Sequence, residues 1–277
     1  MNDIFLWQTL GVESIQSIER ADAILTSLAA GGGSGRRLVD VAIETGLQKS
    51  TAHRILGTLI ATGLVEQDPD SGLFHLGVRL FALGVAAANR YGLVELAGET
   101  MRRLAERTAD TIYLSVRSGT EAVCVDRASG SYPIKTLTLH PGDRRPLGVG
   151  AGSLAMLTWL PDDEVRRIID ANTGALAAHV NFDPATLLQL VATSRRDGYA
   201  FNDRMVIPGM CAIGVPILGR GDRPVAALSV AAIETRMDTG RRTDIAGWLS
   251  DEAKLLTDRL AEATGGLTEA SVRRLLP

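Results

Sequence analysis

Apolar residues recur at three- and four-residue spacing in two adjacent stretches near the N-terminus, which predicts two amphipathic helices. The first is expected to bury Leu38, Val41 and Ala42. The second places its apolar side chains on one face: Ala52, Ile55, Leu56, Leu59 and Ile60. Gly46 stands between them, where a residue that tolerates positive φ suits a sharp turn. This pattern is typical of a helix-turn-helix, whose second helix enters the DNA major groove.

A short hairpin is predicted directly after the second helix. Gly63 ends that helix, and two short strands, residues 64–66 and 72–76, flank a turn that begins Asp68-Pro69. A strand, a tight turn and a strand in this place form the wing of a winged helix. A plain helical hairpin with a solvated polar face is the alternative, and the wing favours the DNA-binding interpretation.

The polar face of the second helix carries side chains suited to DNA. Amide, hydroxyl and basic groups bond to base edges and phosphates, and arginine bonds guanine through two hydrogen bonds. Two arginines ahead of the first helix add candidate phosphate contacts. The candidate DNA-binding residues are Arg36, Arg37, Gln48, Lys49, Ser50, Thr51, His53 and Arg54. Gly57, on the same face, would let a sugar-phosphate strand come close.

The rest of the chain predicts a linker helix and a second, mixed domain. A helical pattern runs from Leu76 with a break at Tyr91-Gly92, so residues 77–92 are interpreted as a linker between domains 1–76 and 93–277. Strands and helices then alternate. The predicted strands are Thr111–Arg117, Glu121–Arg127, Ile134–Leu139, Cys211–Leu218 and Val225–Ile233, and the predicted helices are Leu154–Leu160, one from Asp162, one capped by Asp183-Pro184 and closed by Gly198, and Thr243–Ala263. The fold class is therefore α+β.

Charge counts against a nucleic-acid partner at first. The net charge is −3, and the first 80 residues hold six Lys and Arg against nine Asp and Glu. Phosphate neutralisation supplies most non-specific affinity for DNA. However, residues 48–62 contain two bases and no acid, so the charge of the recognition helix is locally favourable.

Composition predicts an ordinary cytoplasmic protein. The apolar share is 45%, no apolar run approaches the ~18 residues of a membrane span, and the N-terminus lacks the basic region of a secretory signal. Two cysteines and four scattered histidines predict neither a disulfide framework nor a metal site, and no cofactor or catalytic residue is expected. A Cys211–His140 pair is the one catalytic alternative, although cysteines buried in strands are usually inert.

Two segments of the second domain are candidates for ligand binding. In residues 148–153, glycines allow backbone N–H groups to approach a ligand, and the helix start that follows favours an anion. A tight loop that needs glycine for geometry alone remains open. Residues 201–210 form an irregular stretch between strands, rich in Met and polar groups, with a plain surface loop as the alternative.

With these residues in view, the chain resembles an IclR-family transcriptional regulator. The resemblance spans about residues 15–265. Its blocks are Ser17-Ile18-Glu19-Arg20-Ala21 with Ile24-Leu25, Thr45 to Leu56, Phe74-His75-Leu76-Gly77, Pro146-Leu147 to Leu154, Arg196-Asp197-Gly198-Tyr199, Gly209 to Pro216 and Val225-Ala226-Ala227-Leu228-Ser229-Val230.

The resemblance implies a homodimer or dimer of dimers that binds a pseudo-palindromic double-stranded DNA operator. It also implies a GAF/PAS-like C-terminal domain with an antiparallel sheet, which binds a small organic or aromatic acid as effector. By position, the effector pocket falls on Gly150, Ala151, Asn202, Ala212, Ser229 and Ala231. Whether the regulator represses or activates is left open.

Some pocket positions depart from the more polar family pattern. Asn202 replaces an acid, Ala212 a cysteine and Ala231 a serine, and Ser153 replaces the usual lysine. Cys211 lies one place away from the family cysteine. A less polar pocket is expected, which favours a larger or aromatic acid, or a neutral ligand, over a glyoxylate-like one.

Two other functions fit the same pattern. A GAF-like small-molecule enzyme with an accessory winged helix would need a reactive group in the pocket, and Cys211 is the only candidate nearby. A winged helix used only for protein contact would agree with the negative net charge. Salt-dependent DNA binding separates the regulator from the protein-contact function, and turnover that is lost on Cys211→Ala would favour the enzyme.

Overall fold

The chain folds into two units, Met1–Arg90 and Tyr91–Pro277, each with its own hydrophobic core. The structure is a computed structural model, and it describes residues 15–91 and 93–265. Residues 1–14, which include the stretch considered for a secretory signal, and residues 266–277 lie outside that range. The division between the units lies inside the predicted linker, residues 77–92.

The N-terminal unit is a winged helix. Its elements are α1 (Gln16–Ala30), α2 (Leu38–Thr45), α3 (Lys49–Ala61), β1 (Val65–Gln67), β2 (Phe74–Leu76) and α4 (Val78–Tyr91), with a short 3-10 turn at Gly32–Ser34. Its core contains Ile24, Leu28, Val41, Ala42, Ala52, Leu56, Leu59, Val65 and Phe74. The three- and four-residue spacing in the sequence therefore does mark the helix faces that pack together.

The turn between α2 and α3 depends on Gly46. Its φ of 66° and ψ of 16° are left-handed, as the sequence predicted, and a β-carbon is strained there. The N–H of Gly46 bonds to the carbonyl of Ile43 at 3.2 Å, and that of Leu47 to Ala42 at 3.0 Å. These bonds satisfy the last carbonyls of α2 and redirect the chain into α3.

The wing carries a strand contact that the sequence did not predict. Arg36 pairs with Phe74 on β2, and the N–H of each bonds to the carbonyl of the other at 3.0 and 2.8 Å. At the wing tip, Asp68 Oδ1 accepts hydrogen bonds from the N–H and hydroxyl of Ser71 at 2.7 and 2.6 Å. The wing is thus held both at its base and at its tip.

Two sequence expectations for this unit are wrong. The sequence favours Ser17 as the cap of a first helix that follows it, but α1 begins at Gln16, and Ile15 occupies the cap position without a side-chain hydrogen bond. Ile60 is not buried. Its side chain is 37% exposed, since Leu59 takes the last buried position of α3.

The C-terminal unit is a six-stranded antiparallel sheet with helices on both faces. Its elements are α5 (Leu93–Thr108), β3 (Thr111–Ser118), β4 (Glu121–Ser129), β5 (Arg144–Pro146), α6 (Ala151–Thr158), α7 (Asp162–Ala171), α8 (Thr173–Leu176), α9 (Pro184–Asp197), β6 (Ala200–Asp203), β7 (Met210–Leu218), β8 (Pro224–Ile233) and α10 (Thr239–Gly265). The strand order is β5-β4-β3-β8-β7-β6. Helices α5 and α10 cover one face, and α6, α7 and α9 pack on the other side.

Strand alternation gives the two faces of the sheet different characters. Ile112, Ile213 and Val230 belong to the apolar core under α5 and α10. Their neighbours along the strands point the other way, because successive side chains of a strand alternate. Small residues such as Ala212 and Ala231 on that opposite face leave space above the sheet.

The predicted strand Ile134–Leu139 is wrong. Residues 131–140, here named the strap, cross the face of the sheet that carries Tyr113. Thr136 Oγ1 donates to the carbonyl of Ala231 at 2.7 Å, the Tyr113 hydroxyl donates to the carbonyl of Thr136, and Thr138 N–H donates to that hydroxyl at 3.0 Å. The edge strand is β5, which pairs with β4. Bonds that involve side chains, together with the backbone bond from Tyr132 N–H to the Ala109 carbonyl at 2.8 Å, hold the strap, so its alternating pattern does not reflect strand pairing.

A buried carboxylate ties α7 to the sheet. Glu164 is 3% exposed and accepts hydrogen bonds from Arg117 of β3 at 2.7 Å and from Arg223, which precedes β8. Burial acts to raise the pKa of Glu164, but the hydrogen bonds and charges of both arginines outweigh it and hold that pKa below its ordinary value.

Neither membrane spans nor metal clusters occur in the described part of the chain. No helix there combines the length and apolar character needed to cross a membrane. Within the same residues, no three His, Cys, Asp or Glu side chains gather as metal ligands would.

Candidate DNA-binding surface and effector cavity

The recognition helix α3 presents its predicted DNA-binding side chains to solvent. Gln48, Lys49, Ser50, His53 and Arg54 are exposed. Thr51, the remaining candidate of this helix, is half-buried. Lys49 and Arg54 form no ion pair within residues 15–91 and 93–265, so both charges are available to phosphates or base edges.

Arg36 is a predicted phosphate contact, but in the structure it forms an ion pair within the N-terminal unit. Its guanidinium pairs with Glu44 of α2, and Glu44 also accepts a hydrogen bond from Ser27 of α1 at 2.6 Å. This network joins α1, α2 and the base of the wing. Arg36 therefore helps to hold this unit together, and Glu44 neutralises its charge.

Arg37, by contrast, is exposed beside a hollow between α3 and the wing. The hollow is lined by Arg37, Leu38, His53, Leu56, Gly57, Ile60, Gln67, Gly72 and Phe74. Two of the predicted DNA-binding residues thus border the space between recognition helix and wing.

A substitution at Gly57 tests how closely α3 approaches DNA. A β-carbon at this position would meet open space in the free protein. Gly57→Ala should therefore stabilise the helix by about 0.5–1 kcal/mol. The same substitution should weaken operator binding several-fold, because the methyl group occupies space that a sugar-phosphate strand would take. Thermal unfolding and a DNA titration of the same sample measure both effects.

Gly98→Ala is the matched control for that test. Gly98 lies on α5, is exposed, and likewise has open space around its α-carbon. We expect a similar gain in stability with unchanged DNA affinity. Equal DNA affinities for Gly57→Ala and the wild type would contradict a close approach of DNA at Gly57.

The six residues predicted for the effector pocket line one cavity above the sheet. Asn202 comes from β6, Ala212 from β7, Ser229 and Ala231 from β8, and Gly150 and Ala151 from the start of α6. The cavity has a volume of about 60 Å³. Residues of the strap and of the irregular segment 205–207 close its other sides, so the second candidate segment contributes to the same site.

Three polar side chains of mostly buried residues line this cavity, and none of them has a hydrogen-bond partner among the described residues. Ser115, Asn202 and Ser229 are 5%, 4% and 7% exposed. Their polar atoms border the cavity itself, so water or a ligand there can supply the missing hydrogen bonds. Their common direction into one space indicates a site for a ligand with polar atoms.

The first turn of α6 adds backbone donors to this wall. The helix begins at Ala151, three residues earlier than predicted, and Gly150 at its cap has a φ of 91° and provides no side-chain cap. The N–H groups of a first helical turn lack partners within the helix and favour an anion. Ser153 does not serve a ligand here, since its hydroxyl donates to the carbonyl of Pro146 and accepts from Gly148 N–H, both at 2.9 Å.

Close packing sets the distance between α6 and the sheet. A β-carbon at Gly214 of β7 would lie 2.4 Å from the carbonyl oxygen of Ala151. Only glycine therefore allows the first turn of α6 to come down against this strand. The requirement for glycine at position 214 is not evident from the neighbouring sequence, because Ala151 lies far away along the chain.

Arg145 is the functional candidate that sequence reasoning missed. It follows Arg144 in a loop-like stretch, and nothing local distinguishes the two arginines. In the structure, Arg144 pairs outward with Glu121, whereas Arg145 is half-buried in the cavity wall. Burial lowers the pKa of the Arg145 guanidinium below its usual value, although arginine remains charged at any physiological pH.

The two thiols at the cavity lack the properties of nucleophiles. Burial raises the pKa of Cys124 and of Cys211 to about 11, and the Cys211 thiol also donates to Asp203 at 3.5 Å. Both are therefore neutral thiols near pH 7, whereas a reactive cysteine needs the thiolate. Strand alternation moreover turns the Cys211 side chain into the core under α5 and α10, while Ala212 faces the cavity.

Comparison with known proteins agrees with both halves of this architecture. Residues 17–69 match the family described as "IclR helix-turn-helix domain", and residues 85–257 match "Bacterial transcriptional regulator IclR C-terminal". The regulator BhcR of Paracoccus denitrificans is 31% identical over 256 residues, which cover 91% of each chain. The repressor AllR of Escherichia coli K12 is 28% identical over 247 residues, 88% of this chain and 90% of AllR.

A solved structure shares the fold. An IclR homologue from Microbacterium hydrocarbonoxydans, crystallised with 4-hydroxybenzoate, superposes with a TM-score of 0.72 at 22% identity, covering 89% of this chain and 100% of its own. A family match across most of the sequence, together with the winged helix and the antiparallel sheet, fixes the classification. The chain belongs to the IclR family of bacterial transcriptional regulators.

Proposed function

We propose that this regulator binds a pseudo-palindromic operator as a homodimer or a dimer of dimers and responds to a small organic or aromatic acid. The observation that carries the proposal is the cavity, in which unpartnered polar side chains and the free N–H groups of α6 converge. The DNA contacts are assigned to Arg37, Gln48, Lys49, Ser50, Thr51, His53 and Arg54, while Arg36 mainly supports the fold. Such a protein acts in the cytoplasm, on chromosomal DNA.

The chemistry of the cavity supports an acid with an apolar part. Free backbone N–H groups favour a carboxylate, and Ser115, Asn202 and Ser229 offer further hydrogen bonds. Ala212 and Ala231 replace polar side chains with methyl groups and therefore favour a hydrocarbon or ring. The 4-hydroxybenzoate held by the Microbacterium homologue combines these features, which supports an aromatic acid as the class of effector.

Control requires that the effector distinguish two states of the protein. A ligand shifts an equilibrium only by its difference in affinity for the two states. We propose that residues 77–92, the linker between domains, transmit this difference, because the start of α4 is fixed to the winged helix. There, Arg79 donates to the carbonyl of Thr62 at 2.6 Å, and Val78 N–H donates to Glu66 at 3.0 Å. The relative AllR is named a repressor, which supports repression as the direction of control.

Operator binding with and without acids tests the proposed function. A duplex selected by the full-length protein from a random library should bind with an affinity that falls steeply as salt rises. An effector acid should change that affinity by roughly 5- to 150-fold, the usual range of allosteric coupling. Absence of salt-dependent DNA binding would contradict the proposal and favour a winged helix used for protein contact.

A further inference from the structure

Two neighbouring arginines of β5 face opposite environments. Arg144 donates to Glu121 at the exposed edge of the sheet, where its charge is neutralised. Arg145 faces the cavity and donates through Nη2 to the carbonyl of Thr138 at 2.8 Å. Within the described residues, no carboxylate lies at ion-pair distance from Arg145. Asp143 also lines the cavity, where its charge acts to raise the pKa of Arg145 although burial outweighs it, and its carboxylate accepts the N–H of His140 at 2.7 Å.

Arg145 lies next to the free end of α6. A β-carbon built on Gly150, the cap of that helix, would come 3.4 Å from Arg145 Nη1. The guanidinium and the first-turn N–H groups therefore act on the same point of the cavity. A partly buried cation without a directly paired carboxylate favours an anion beside it, and a guanidinium binds a carboxylate through two parallel hydrogen bonds. Both observations indicate an anionic group of the ligand at this point.

On the other side of its guanidinium, Arg145 hydrogen-bonds to the strap. Its Nη2 bond to Thr138 joins the bonds that Tyr113 makes to the same segment. The strap covers a cavity of about 60 Å³, which holds several water molecules but is smaller than the roughly 300 Å³ of an ordinary ligand pocket. A ring-sized ligand therefore needs a wall to move. The strap is one wall that does not pair with a strand, and its residues 136 and 138 are tied to the sheet and to Arg145 by bonds to or from side chains.

We propose that Arg145 reads the negative charge of the effector and couples it to the strap. The Nη1 side of the guanidinium binds the carboxylate, while Nη2 keeps the Thr138 carbonyl, so one side chain connects ligand and strap. The inference rests on the proposed function and adds to it a specificity-determining residue and the segment that responds. Ligands with a carboxylate bind and order residues 131–140, and neutral analogues of the same shape do neither.

Full-length protein and pairs of acids and amides provide the test. Benzoate, 4-hydroxybenzoate and glyoxylate, each with its amide, are titrated by calorimetry after a thermal-shift screen. Arg145→Gln should weaken carboxylate binding by about 10- to 100-fold, the usual effect of losing a charged hydrogen-bond partner. The same variant should leave amide binding nearly unchanged, so the acid-to-amide ratio collapses. Arg145→Lys should fall in between, because lysine keeps the charge but loses the planar pair of donors.

Arg144→Gln is the matched control. This substitution also removes one arginine charge, at the neighbouring position, where Arg144 forms an exposed ion pair with Glu121. Carboxylate affinity should change by less than about twofold. Hydrogen exchange supplies a second readout. A bound carboxylate should slow exchange across residues 131–140 in the wild type and in Arg144→Gln, but not in Arg145→Gln. If Arg145→Gln unfolds in the thermal scan, Arg145→Lys carries the same comparison.

Three outcomes would overturn the inference. These are equal carboxylate affinities for Arg145→Gln and Arg144→Gln, stabilisation of the wild type by amides alone or by no compound, and equal protection of the strap in both variants. Each leaves salt-dependent operator binding intact. A failure of this inference is therefore distinguishable from a failure of the proposed function, in which operator binding itself is absent.

Discussion

Replacing Lys49 and Arg54 by alanine together is expected to weaken operator binding by about 100-fold while the protein stays folded. Both side chains are exposed on α3 and free of ion pairs within the described residues, so their loss removes DNA contacts without breaking internal ones. One base-reading arginine and one phosphate-contacting lysine per protomer correspond to a loss of affinity on the order of 100-fold. The salt dependence of binding should also become shallower, since fewer counter-ions are released.

Arg166→Ala combined with Lys254→Ala is the charge-matched control for that experiment. Both residues are exposed, on α7 and α10 of the other unit, and the pair likewise removes one arginine and one lysine. Fluorescence anisotropy with a labelled operator across a salt series should show binding close to that of the wild type. If both double variants lose affinity equally, net charge rather than α3 governs DNA binding, and the docking model is wrong.

Glu164→Gln is expected to destabilise the C-terminal unit by about 3 kcal/mol at pH 7. Glu164 is almost fully buried, and it satisfies Arg117, which is 16% exposed, and Arg223. The amide keeps the volume of the carboxylate but removes its charge, so both arginines lose their counter-ion. The free energy of unfolding is measured by urea titration followed by tryptophan fluorescence.

We also expect Glu164→Gln to change how strongly the free energy of unfolding depends on pH in acid. Because the folded-state pKa of Glu164 is below the unfolded value of about 4.5, its contribution is complete above that pH and is lost as pH falls through the folded pKa. Stability of Glu164→Gln should therefore decline less steeply than that of the wild type below about pH 4.5. Glu121→Gln, in the half-exposed pair with Arg144, is the control and should cost less than about 1 kcal/mol. Equal effects of both substitutions would refute the role assigned to burial.

The winged helix was predictable because its signals are local. Helix faces, the glycine of the turn and the wing residues lie within forty consecutive positions, and each shapes its own stretch of backbone. Gly46 illustrates this, since its left-handed φ follows from the turn alone. Ile60 and Ser17 mark the limit. Burial at the last turn and capping at the first depend on neighbours that periodicity does not contain.

The cavity was predictable only in part. The resemblance to the family pointed to six positions that the structure brings together. It did not distinguish Arg145 from Arg144, because inward and outward directions on β5 are set by pairing with β4. The strap shows the opposite error. Its alternating residues look like a strand, but hydrogen bonds from Tyr113, distant in sequence, place it across the sheet.

The sequence by itself determined the two-part organisation, the recognition helix and its polar face, since these arise from hydrophobic periodicity and from backbone preferences of single residues. The tertiary structure alone decided which polar groups line the cavity, which arginine faces it and how closely α6 approaches the sheet at Gly214. Those features are differences in distance and solvation between residues far apart along the chain. Such differences exist only once strands from several parts of the chain have paired.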